Sequence, residues 1–437
     1  MKISKYTFLV NQEDNCTVVY NCFNEALSVI ETELAEMVQS KPLEEIKKVH
    51  PTFYEFLIHE GFVVEDDVVE ENKVIDTWKA ADKNRDSYNI FINPTLDCNL
   101  HCWYCYEKHI KHSLLDEKVM HSLNALVDRK VMEGVKNLSF SFFGGEPLLV
   151  FQSVVQPLLL RTGKLCQEHN ICLYVSFVTN GTLLSPQIIS DLKQIPVAEP
   201  MSFQIALDGN EYFHDKTKSF SKQSGSYRLI LENVGKLLQE GWKVTLRFNM
   251  TEENMAGFYD VLTDLHELTA EEKLLLTIDL QRVWQDSRNS HFDFLQEQSR
   301  IREAFLQEGF RVNELKHIDP SRCYADKENH VTVNYDGSIF KCTARDFTKV
   351  NSEGMLCEDG TLCWNDKYQK RLSLKYGNKT CQECRIFPLC HGGCSQYKMD
   401  CKDEFDNQLC IRGYDDLMKK KIVEDRIHFL LERLMNN

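Results

Sequence analysis

The chain has 437 residues, 43% of them hydrophobic, and its 51 Lys and Arg against 66 Asp and Glu give a formal net charge of −15. This composition predicts a soluble globular protein of roughly two to four domains, and the negative charge disfavours nucleic acid or an anionic membrane as the main partner. No stretch approaches the ~18–20 apolar residues of a membrane span. The first residues lack the basic and apolar parts of an export signal, so a cytoplasmic location is expected.

Residues 1–80 have the pattern of a small separate domain. The runs YTFLV and CTVVY predict short strands, and NEALSVIETELAEMV (24–38) carries apolar residues at helical spacing. Further helical sequence follows, with a last apolar run after Gly61. The mostly charged segment from Glu65 to Asp86 predicts a linker.

Residues 81–310 alternate between strand and helix patterns. Helical patterns cover 114–134, 186–195, 227–241 and 255–268. The strand-like runs are 88–96, 137–143, 171–178, 201–207, 242–250 and 273–283. Six β/α units predict an α/β fold with a parallel sheet, open or curled into a partial barrel, whose functional residues lie at the carboxyl ends of the strands.

Seventeen cysteines are the unusual feature, and ten of them lie between Cys323 and Cys410. Without an export signal they are not expected to form disulfides, and closely spaced thiolates are typical of metal or iron–sulfur ligands. The segment 311–415 is therefore predicted to be a domain stabilised by metal sites, followed by a C-terminal helix over 416–437. The scattered cysteines are expected to be small buried apolar residues: Cys16, Cys22, Cys166 and Cys172.

Three cysteines, Cys98, Cys102 and Cys105, directly follow the first strand of the α/β region. Three thiolates would leave one iron of a [4Fe–4S] cluster open to a substrate or cofactor. A zinc site or a group of reactive thiols is the alternative, but structural zinc sites favour C-x2-C pairs and four ligands. The sequence therefore predicts an open iron–sulfur cluster at a strand end.

The pattern Cys98-x3-Cys102-x-Tyr104-Cys105 resembles the signature of radical S-adenosylmethionine (SAM) enzymes. The resemblance implies that the amino and carboxylate groups of SAM chelate the open iron. Electron transfer then cleaves SAM to methionine and a 5′-deoxyadenosyl radical, which abstracts hydrogen from the substrate. It also implies a partial (β/α)6 TIM barrel.

The following strand ends resemble the same family in the same order. The segment Gly144-Gly145-Glu146-Pro147 is similar to its GGEP motif, whose glycine carbonyls and carboxylate contact the cofactor ammonium. One departure is Ala206, where the family commonly has a serine at the SAM ribose. The positions that the resemblance assigns to SAM binding are Tyr104, Gly144, Gly145, Glu146, Pro147, Thr179, Asn180, Asp208 and Arg247.

The C-terminal cysteines resemble the seven-cysteine pattern of SPASM domains, which hold auxiliary iron–sulfur clusters; one or two zinc sites are the alternative. No cysteine lies within 324–330, where complete members have another ligand. The inner cluster would therefore keep an open iron or take Cys357, Cys363, Cys401 or the substrate as its fourth ligand. With the cluster at the SAM site, the resemblance implies three [4Fe–4S] clusters. The outer auxiliary ligands would be Cys381, Cys384, Cys390 and Cys410, and the inner ones Cys323, Cys342 and Cys394.

The N-terminal pattern resembles the winged-helix, PqqD-like element of peptide maturases, which binds a precursor's leader as an added edge strand; a structural cap on the barrel is the alternative. Together the resemblances imply a maturase that crosslinks a ribosomal precursor peptide, through a carbon–carbon bond such as Lys–Trp or a Cys thioether. Its other partner would be an external electron donor such as flavodoxin or ferredoxin.

Two other functions remain open. The first is oxidation of a protein Ser or Cys, as in sulfatase maturases, but those enzymes have an Asp base where Thr343 follows Cys342 here. The second is a non-enzymatic electron carrier with three metal sites. Nothing in the sequence selects a general base among Asp319, Asp326 and Asp346.

Overall fold

The computed structural model describes residues 1–12, 15–220, 225–286, 293–313, 322–401 and 410–435. Asp319 lies outside these residues. The chain forms two compact units. The first unit contains Met1–Lys83, Lys316–Lys327 and Gln369–Asn437, and the second contains Asn84–Leu315 and Glu328–Tyr368. The segment 311–415 thus contributes to both units.

The secondary structure of the described residues is as follows. The strands are β1 (Lys2–Ile3), β2 (Thr7–Asn11), β3 (Cys16–Asn21), β4 (Leu27–Glu31), β5 (Val63–Val64), β6 (Ser87–Asn93), β7 (Asn137–Phe142), β8 (Cys172–Thr179), β9 (Ser202–Leu207), β10 (Lys243–Met250), β11 (Leu276–Arg282), β12 (Arg311–Val312), β13 (His330–Asn334), β14 (Ser338–Phe340), β15 (Gly354–Leu356) and β16 (Leu362–Trp364). The α-helices are α1 (Thr32–Ser40), α2 (Leu43–Val49), α3 (Pro51–His59), α4 (Glu70–Asp82), α5 (Glu117–Met132), α6 (Gln156–Glu168), α7 (Pro186–Leu192), α8 (Glu211–Thr217), α9 (Tyr227–Gln239), α10 (Gly257–Asp264), α11 (Ala270–Leu275), α12 (Phe294–Gln307), α13 (Asp366–Leu374), α14 (Lys379–Glu383), α15 (Phe387–Cys390), α16 (Ser395–Asp400) and α17 (Asp416–Met435). None of the helices in the described segments has the length and apolar character needed to cross a membrane.

The second unit is built on one mostly parallel sheet. Its strand order is β12-β11-β10-β9-β8-β7-β6-β13-β14-β15-β16, and β6 to β11 are parallel neighbours in chain order. The six predicted strands and the intervening helices are confirmed. Beyond β6 the sheet continues through β13, parallel to β6, and then through the antiparallel strands β14 to β16.

The strands of this sheet have one apolar face and one polar face. In β10, Val244, Leu246 and Phe248 are buried, whereas Arg247 and Asn249 on the opposite face are only half-buried. The apolar face contains a row of stacked aromatic rings, with neighbouring centroids 5.0–5.4 Å apart: Phe142, Phe177, Phe203 and Trp242. Period-2 alternation therefore places the apolar side chains in one core and leaves a polar opposite face.

The first unit contains the antiparallel sheet β2-β3-β4 and the helices that cover it. The helix predicted over 24–38 is partly wrong, because Leu27–Glu31 forms β4 and the helix α1 begins only at Thr32. The β-branched residues Val29 and Ile30 pair with Val18 and Thr17 of β3, and this cross-strand pairing outweighs the helical spacing of the apolar residues.

The segment predicted as a linker is largely the helix α4. Its buried residues recur every four positions, at Glu70, Val74, Trp78 and Asp82. Trp78 packs edge-on against Phe387, with ring centroids 4.7 Å apart. Two of the four buried side chains are carboxylates, so composition alone suggested a solvated segment where tertiary contacts stabilise a helix.

The expectation that the cysteines form no disulfide is wrong at one place. Cys357 and Cys363 are bonded across the β15–β16 hairpin, with Cα atoms 6.5 Å apart. The turn brings them together, since the Cys357 amide donates to the Thr361 carbonyl at 2.8 Å. The bond removes both residues from the candidates for the fourth inner-cluster ligand. Among the scattered cysteines, Cys22 and Cys166 are buried as expected, Cys16 is half-buried and Cys172, at the start of β8, is exposed.

Candidate active site

Five adjacent parallel strands of the second unit carry the predicted ligands of the first cluster and the predicted SAM-binding residues. The cysteine loop follows β6, the segment 144–147 follows β7, Thr179 ends β8, Asp208 follows β9 and Arg247 lies in β10. Because these strands are parallel neighbours, their ends lie along one edge of the sheet. The structure therefore brings these residues to the edge at which the sequence predicts the site.

Exposure increases along the cysteine loop. Cys98 is buried, Cys102 is half-buried and Cys105 is exposed. Burial, together with the nearby Glu146, Cys102 and Cys105, raises the pKa of the Cys98 thiol to about 12. Two N–H groups point at the Cys98 sulfur, the Leu100 amide at 3.5 Å and the Asn180 side-chain amide at 3.9 Å. Such donors stabilise a thiolate, the form in which cysteine binds iron.

The two glycines after β7 allow that loop to lie directly against the cysteine loop. Gly145 has φ of +51°, and a Cβ there would lie 2.2 Å from the Asp97 carbonyl oxygen. The next amide, that of Glu146, donates to the same carbonyl at 2.8 Å. Glycine is therefore required by both backbone conformation and space.

Glu146 is completely buried, and its carboxylate connects the ends of β7 and β8. It accepts hydrogen bonds from the Thr179 hydroxyl at 2.8 Å, the Asn180 amide at 2.8 Å and the Leu148 amide at 3.0 Å. Burial raises the pKa of Glu146 to about 7. In this structure the carboxylate thus fixes the positions of the neighbouring cofactor-binding candidates.

Glu107, which sequence reasoning missed, performs a related task from the cysteine loop. Its Oε2 accepts a hydrogen bond from the Gly145 amide at 2.7 Å, and burial raises its pKa to about 7. No spacing rule distinguishes this glutamate from the other charged residues that follow Cys105. Its role comes from the fold, which sets the cysteine loop beside the Gly145 turn.

A buried charged network occupies the ends of β9 and β10. The Tyr104 hydroxyl donates to Asp208 at 2.7 Å and accepts from the Asn249 side-chain amide at 2.9 Å. Lys218, also missed from the sequence, places its ammonium 3.2 Å from Asp208 and 2.8 Å from the Ala206 carbonyl. Burial of both charges makes the Lys218–Asp208 pair less screened than a surface pair.

His214 forms hydrogen bonds that support this network. Its Nδ1 accepts from the Asp208 amide at 3.3 Å, and its Nε2 lies 3.1 Å from the Ser226 hydroxyl. Burial, and then the Lys218 ammonium, keep the pKa of His214 well below its usual value, so the ring is neutral. In β10, the Arg247 guanidinium donates to Asn249 at 3.3 Å and so extends the network.

A cavity of about 130 Å³ adjoins this network. The cysteine loop contributes Trp103 and Tyr104, and Asp208 and Asn249 line it from the strand ends. Trp103 is 57% exposed, and Tyr106, which follows Cys105, stacks on Trp284 with ring centroids 5.7 Å apart. The cysteine loop thus presents aromatic surface beside a polar pocket.

The four predicted outer ligands all belong to the first unit. Burial raises the pKa of Cys390 to about 11, and the thiols of Cys381, Cys384 and Cys410 add to the rise. The buried ammonium of Lys398 lies near Cys381, Cys390 and Cys394 and so adds a positive charge among these thiols. A cation among thiols suits an anionic, thiolate-ligated cluster.

The three predicted inner ligands divide between the units. Cys323 and Cys394 belong to the first unit and are exposed, whereas Cys342 belongs to the second and is half-buried. Among the candidate bases, Asp326 accepts from the Ser395 hydroxyl at 2.5 Å. Hydrogen bonds from Thr348 and Asn351 outweigh burial and hold the pKa of Asp346 below its usual value.

The donor atoms of the cysteine loop and of the outer group suit iron–sulfur clusters in type and sequence spacing. Within the part of the chain that the structure describes, no three His, Cys, Asp or Glu side chains converge closely enough to hold a metal ion. The fit therefore rests on thiol donors, on the N–H groups aimed at Cys98 and on the cation among the outer thiols.

Comparison with protein families agrees with the strand-end site. Residues 92–265 match the model of the radical SAM superfamily, from the end of β6 to α10. The chain contains a radical SAM domain. This family uses a [4Fe–4S] cluster together with SAM, and the matched residues include the cysteine loop and every predicted SAM-binding residue.

The relatives of this radical SAM protein include a cyclopropyl synthase and sulfatase-maturating enzymes. The radical SAM cyclopropyl synthase TigE of Paramaledivibacter caminithermalis is 22% identical over 442 residues, covering 90% of this chain and 89% of its own. A cysteine-type anaerobic sulfatase-maturating enzyme of Clostridium novyi is 25% identical over 346 residues, covering 71% of this chain and 89% of its own.

The solved structure of Streptococcus suis SuiB has the same fold. It superposes with a TM-score of 0.51 at 16% identity, covering 93% of this chain and 98% of SuiB. SuiB has also been crystallised with SAM and with its precursor peptide SuiA. The radical SAM α/β fold with its large, mostly parallel sheet is therefore confirmed.

Proposed function

We propose that this radical SAM protein is a peptide maturase that installs an intramolecular crosslink in a ribosomally made precursor peptide. The observation that carries the proposal is coverage: TigE and SuiB align with 90% and 93% of the chain, whereas the sulfatase-maturating enzyme of Clostridium novyi aligns with 71%. A cyclopropyl ring contains only carbon–carbon bonds, so the name of TigE favours the carbon–carbon form of the crosslink over a thioether.

The N-terminal sheet supports leader binding because it has one blocked edge and one open edge. At the β2 edge, the Arg385 guanidinium donates to the carbonyls of Thr7 at 2.6 Å and Lys5 at 3.2 Å. At the other edge, β3 is the one strand among the described residues that pairs with β4, and the Val29 side chain of β4 is 57% exposed. An exposed edge strand pairs readily with an extended peptide, so β4 is the proposed leader site of a PqqD-like element.

The polar face of the parallel sheet supports entry of a peptide rather than of an apolar ligand. Ser141 pairs with Ser176 on this face, and Arg247 pairs with Asp279. Half-buried polar residues thus occur on this face in five adjacent strands: Ser141, Ser176, Gln204, Arg247 and Asp279. Serine, glutamine and arginine side chains can hydrogen-bond to peptide amides and carbonyls. The proposed core peptide lies across this face.

When bound, the cluster and SAM would supply a 5′-deoxyadenosyl radical, which removes a hydrogen atom from the peptide. Cys98, Cys102 and Cys105 would hold the cluster, while Glu146 orders the SAM-binding turns and Asp208 fixes Tyr104. Joining two positions removes two hydrogen atoms: one is taken by the radical, and the other leaves as a proton and an electron. The auxiliary cysteines are proposed to hold the clusters that receive this electron.

Oxidation of a protein Ser or Cys is the alternative, and the relationship to the Clostridium novyi enzyme favours it. The position at which sulfatase maturases would have their Asp base is occupied by Thr343 in this chain. The Thr343 carbonyl accepts a hydrogen bond from the Tyr106 hydroxyl at 2.8 Å. A threonine hydroxyl is a poor base at neutral pH. The alternative therefore lacks the carboxylate that it needs at this position.

The test uses the anaerobically reconstituted full chain, SAM, a reductant, and short peptides encoded beside its gene. We expect a product lighter by two hydrogen atoms, a crosslink in its fragmentation spectrum, and matching formation of 5′-deoxyadenosine. The Cys102→Ala variant should form neither product. Modification of a sulfatase peptide in place of every precursor peptide would instead support the alternative.

Leader binding at β4 has its own test. The Val29→Glu variant should weaken binding of the precursor and raise KM while leaving slow, peptide-independent SAM cleavage unchanged, because a charge on an edge strand opposes pairing. The matched control is Val49→Glu: Val49 is 60% exposed in the same unit but lies outside the sheet. Equal effects of the two substitutions would contradict the β4 site.

A further inference from the structure

The first unit buries a carboxylate that no part of the proposed chemistry uses. Asp82, the last residue of α4, is 1% exposed. It accepts hydrogen bonds from the Arg322 Nε at 3.1 Å and Nη2 at 3.0 Å, and from the Lys375 ammonium at 2.9 Å. The Tyr376 hydroxyl lies 3.3 Å away. Asp82 is thus the shared anion of two buried cations.

Both cations contact or adjoin the turn that carries the predicted ligand Cys323. Arg322 directly precedes Cys323, and its guanidinium lies over the Trp78 ring of α4, 4.9 Å from the ring centre. Lys375 donates also to the Asp326 carbonyl at 3.3 Å, and the Asp326 amide in turn donates to the Cys323 carbonyl at 3.1 Å. The Asp82 carboxylate therefore holds the Cys323 turn at both ends.

The same network reaches a second predicted ligand. Asp326 accepts a hydrogen bond from the hydroxyl of Ser395, the residue that follows Cys394. The buried Arg371 also donates to that hydroxyl, at 3.0 Å. Cys323 and Cys394, exposed cysteines far apart in sequence, thus rest on one buried polar network within the first unit.

Within this network, loss of the Asp82 charge should have the largest electrostatic effect. A bidentate Arg–carboxylate pair is geometrically specific, and removal of one partner of a buried ion pair leaves an uncompensated charge. Without its carboxylate, Arg322 and Lys375 would be two buried cations facing each other. We expect both to turn toward solvent, which would move the Cys323 turn that they hold.

We propose that Asp82 is a positioning residue for the two predicted auxiliary-cluster ligands of the first unit, Cys323 and Cys394, acting through Arg322 and Lys375 on the Cys323 turn. This inference rests on the proposed assignment of Cys323 and Cys394 as ligands. It also gives the N-terminal segment a second task beside the proposed leader binding, because α4 ends on the network that orders the ligands.

The experiment compares Asp82→Asn with Asp76→Asn in the anaerobically reconstituted full chain. Asp76 lies on the same helix, in an exposed pair with Lys79, and so controls for the loss of a carboxylate from α4. The readouts are iron and sulfide per chain, the electron paramagnetic resonance spectrum after reduction, thermal unfolding, and 5′-deoxyadenosine formation without peptide.

We expect Asp82→Asn to lose about four irons per chain, one cubane, together with the corresponding resonance signal. Its peptide-independent SAM cleavage should continue, and Asp76→Asn should match the wild type throughout. Wild-type iron content and an unchanged spectrum in Asp82→Asn would overturn the inference. So would a wild-type chain that cleaves SAM but holds iron only at the first cluster, a result that leaves the peptide-maturase proposal standing.

A second variant decides the matter if Asp82→Asn does not fold. Arg322→Lys keeps the positive charge but lacks the planar fork, so we expect partial loss of the same iron and a shifted resonance signal. Unchanged iron and spectrum in a folded Arg322→Lys would overturn the inference. Failure of the maturase proposal is read separately, as an absence of modified peptide from the fully loaded wild type.

Discussion

The two units of this protein differ in the interactions that stabilise each of them. The second unit has a continuous apolar core between a parallel sheet and its helices, and polar groups are concentrated at the strand ends. The first unit joins segments more than 280 residues apart in sequence, Met1–Lys83 and Gln369–Asn437, around a smaller core that includes Cys381. Buried charges such as Asp82 lie beside this apolar packing.

The ordered structure of the two units therefore depends on different interactions. In the second unit the apolar core positions the strands, and local hydrogen bonds such as those of Glu146 order their ends, so the site is largely built before any cofactor binds. In the first unit, long-range polar contacts and the proposed clusters must both contribute, because short helices such as α14 and α15 are too short to be stable by themselves. The comparison can be tested at three points.

The largest expected effect is in the aromatic row of the second unit. Phe177 is 1% exposed and stacks between Phe142 and Phe203. Phe177→Ala should lower the free energy of unfolding by about 3–5 kcal/mol, because it removes buried surface and leaves a cavity. Denaturant unfolding measures the loss, and Phe177→Leu should recover most of it. A change below about 1 kcal/mol would contradict a core that depends on packing.

The next effect is the pH dependence that Glu146 gives the second unit. Its raised pKa means that the folded state binds the proton more tightly than the unfolded state, so its contribution is complete below about 4.5 and disappears as the pH rises through about 7. The full change is roughly 3 kcal/mol. Unfolding measured between these pH values should show this decline together with that of Glu107, and Glu146→Gln should make the slope smaller by the share of Glu146. An unchanged slope in the variant would assign the decline to another group.

The smallest effect is at the polar contact between Arg385 and β2. Arg385 donates to two carbonyls of the β2 segment and lies over the Phe8 ring, 4.4 Å from its centre. Since Arg385 is exposed, Arg385→Met should cost only about 1–2 kcal/mol of unfolding free energy. Hydrogen exchange should become faster in β2 but not in the parallel sheet. Equal acceleration in both units would contradict their separate sources of order.

Sequence reasoning predicted the second unit better than the first. Six strands with clean alternation and strong apolar character, and motifs at their ends, were sufficient to place Cys98, Glu146 and Asp208 at one edge. In the first unit, β4 and α4 were mistaken for a helix and a linker. Their structure depends on pairing with β3 and on packing against Phe387, contacts that no local pattern contains.

By itself, the sequence determined the α/β class, the order of the strands and the cysteine loop that identifies a radical SAM domain, because spacing and periodicity are local properties. The tertiary structure alone decided that Glu107 bonds to Gly145, that Lys218 pairs with Asp208 and that Asp82 joins Arg322 to Lys375. Each of these contacts joins residues brought together only by folding. Burial then makes such pairs strong, because water no longer competes for the hydrogen bonds or screens the charges.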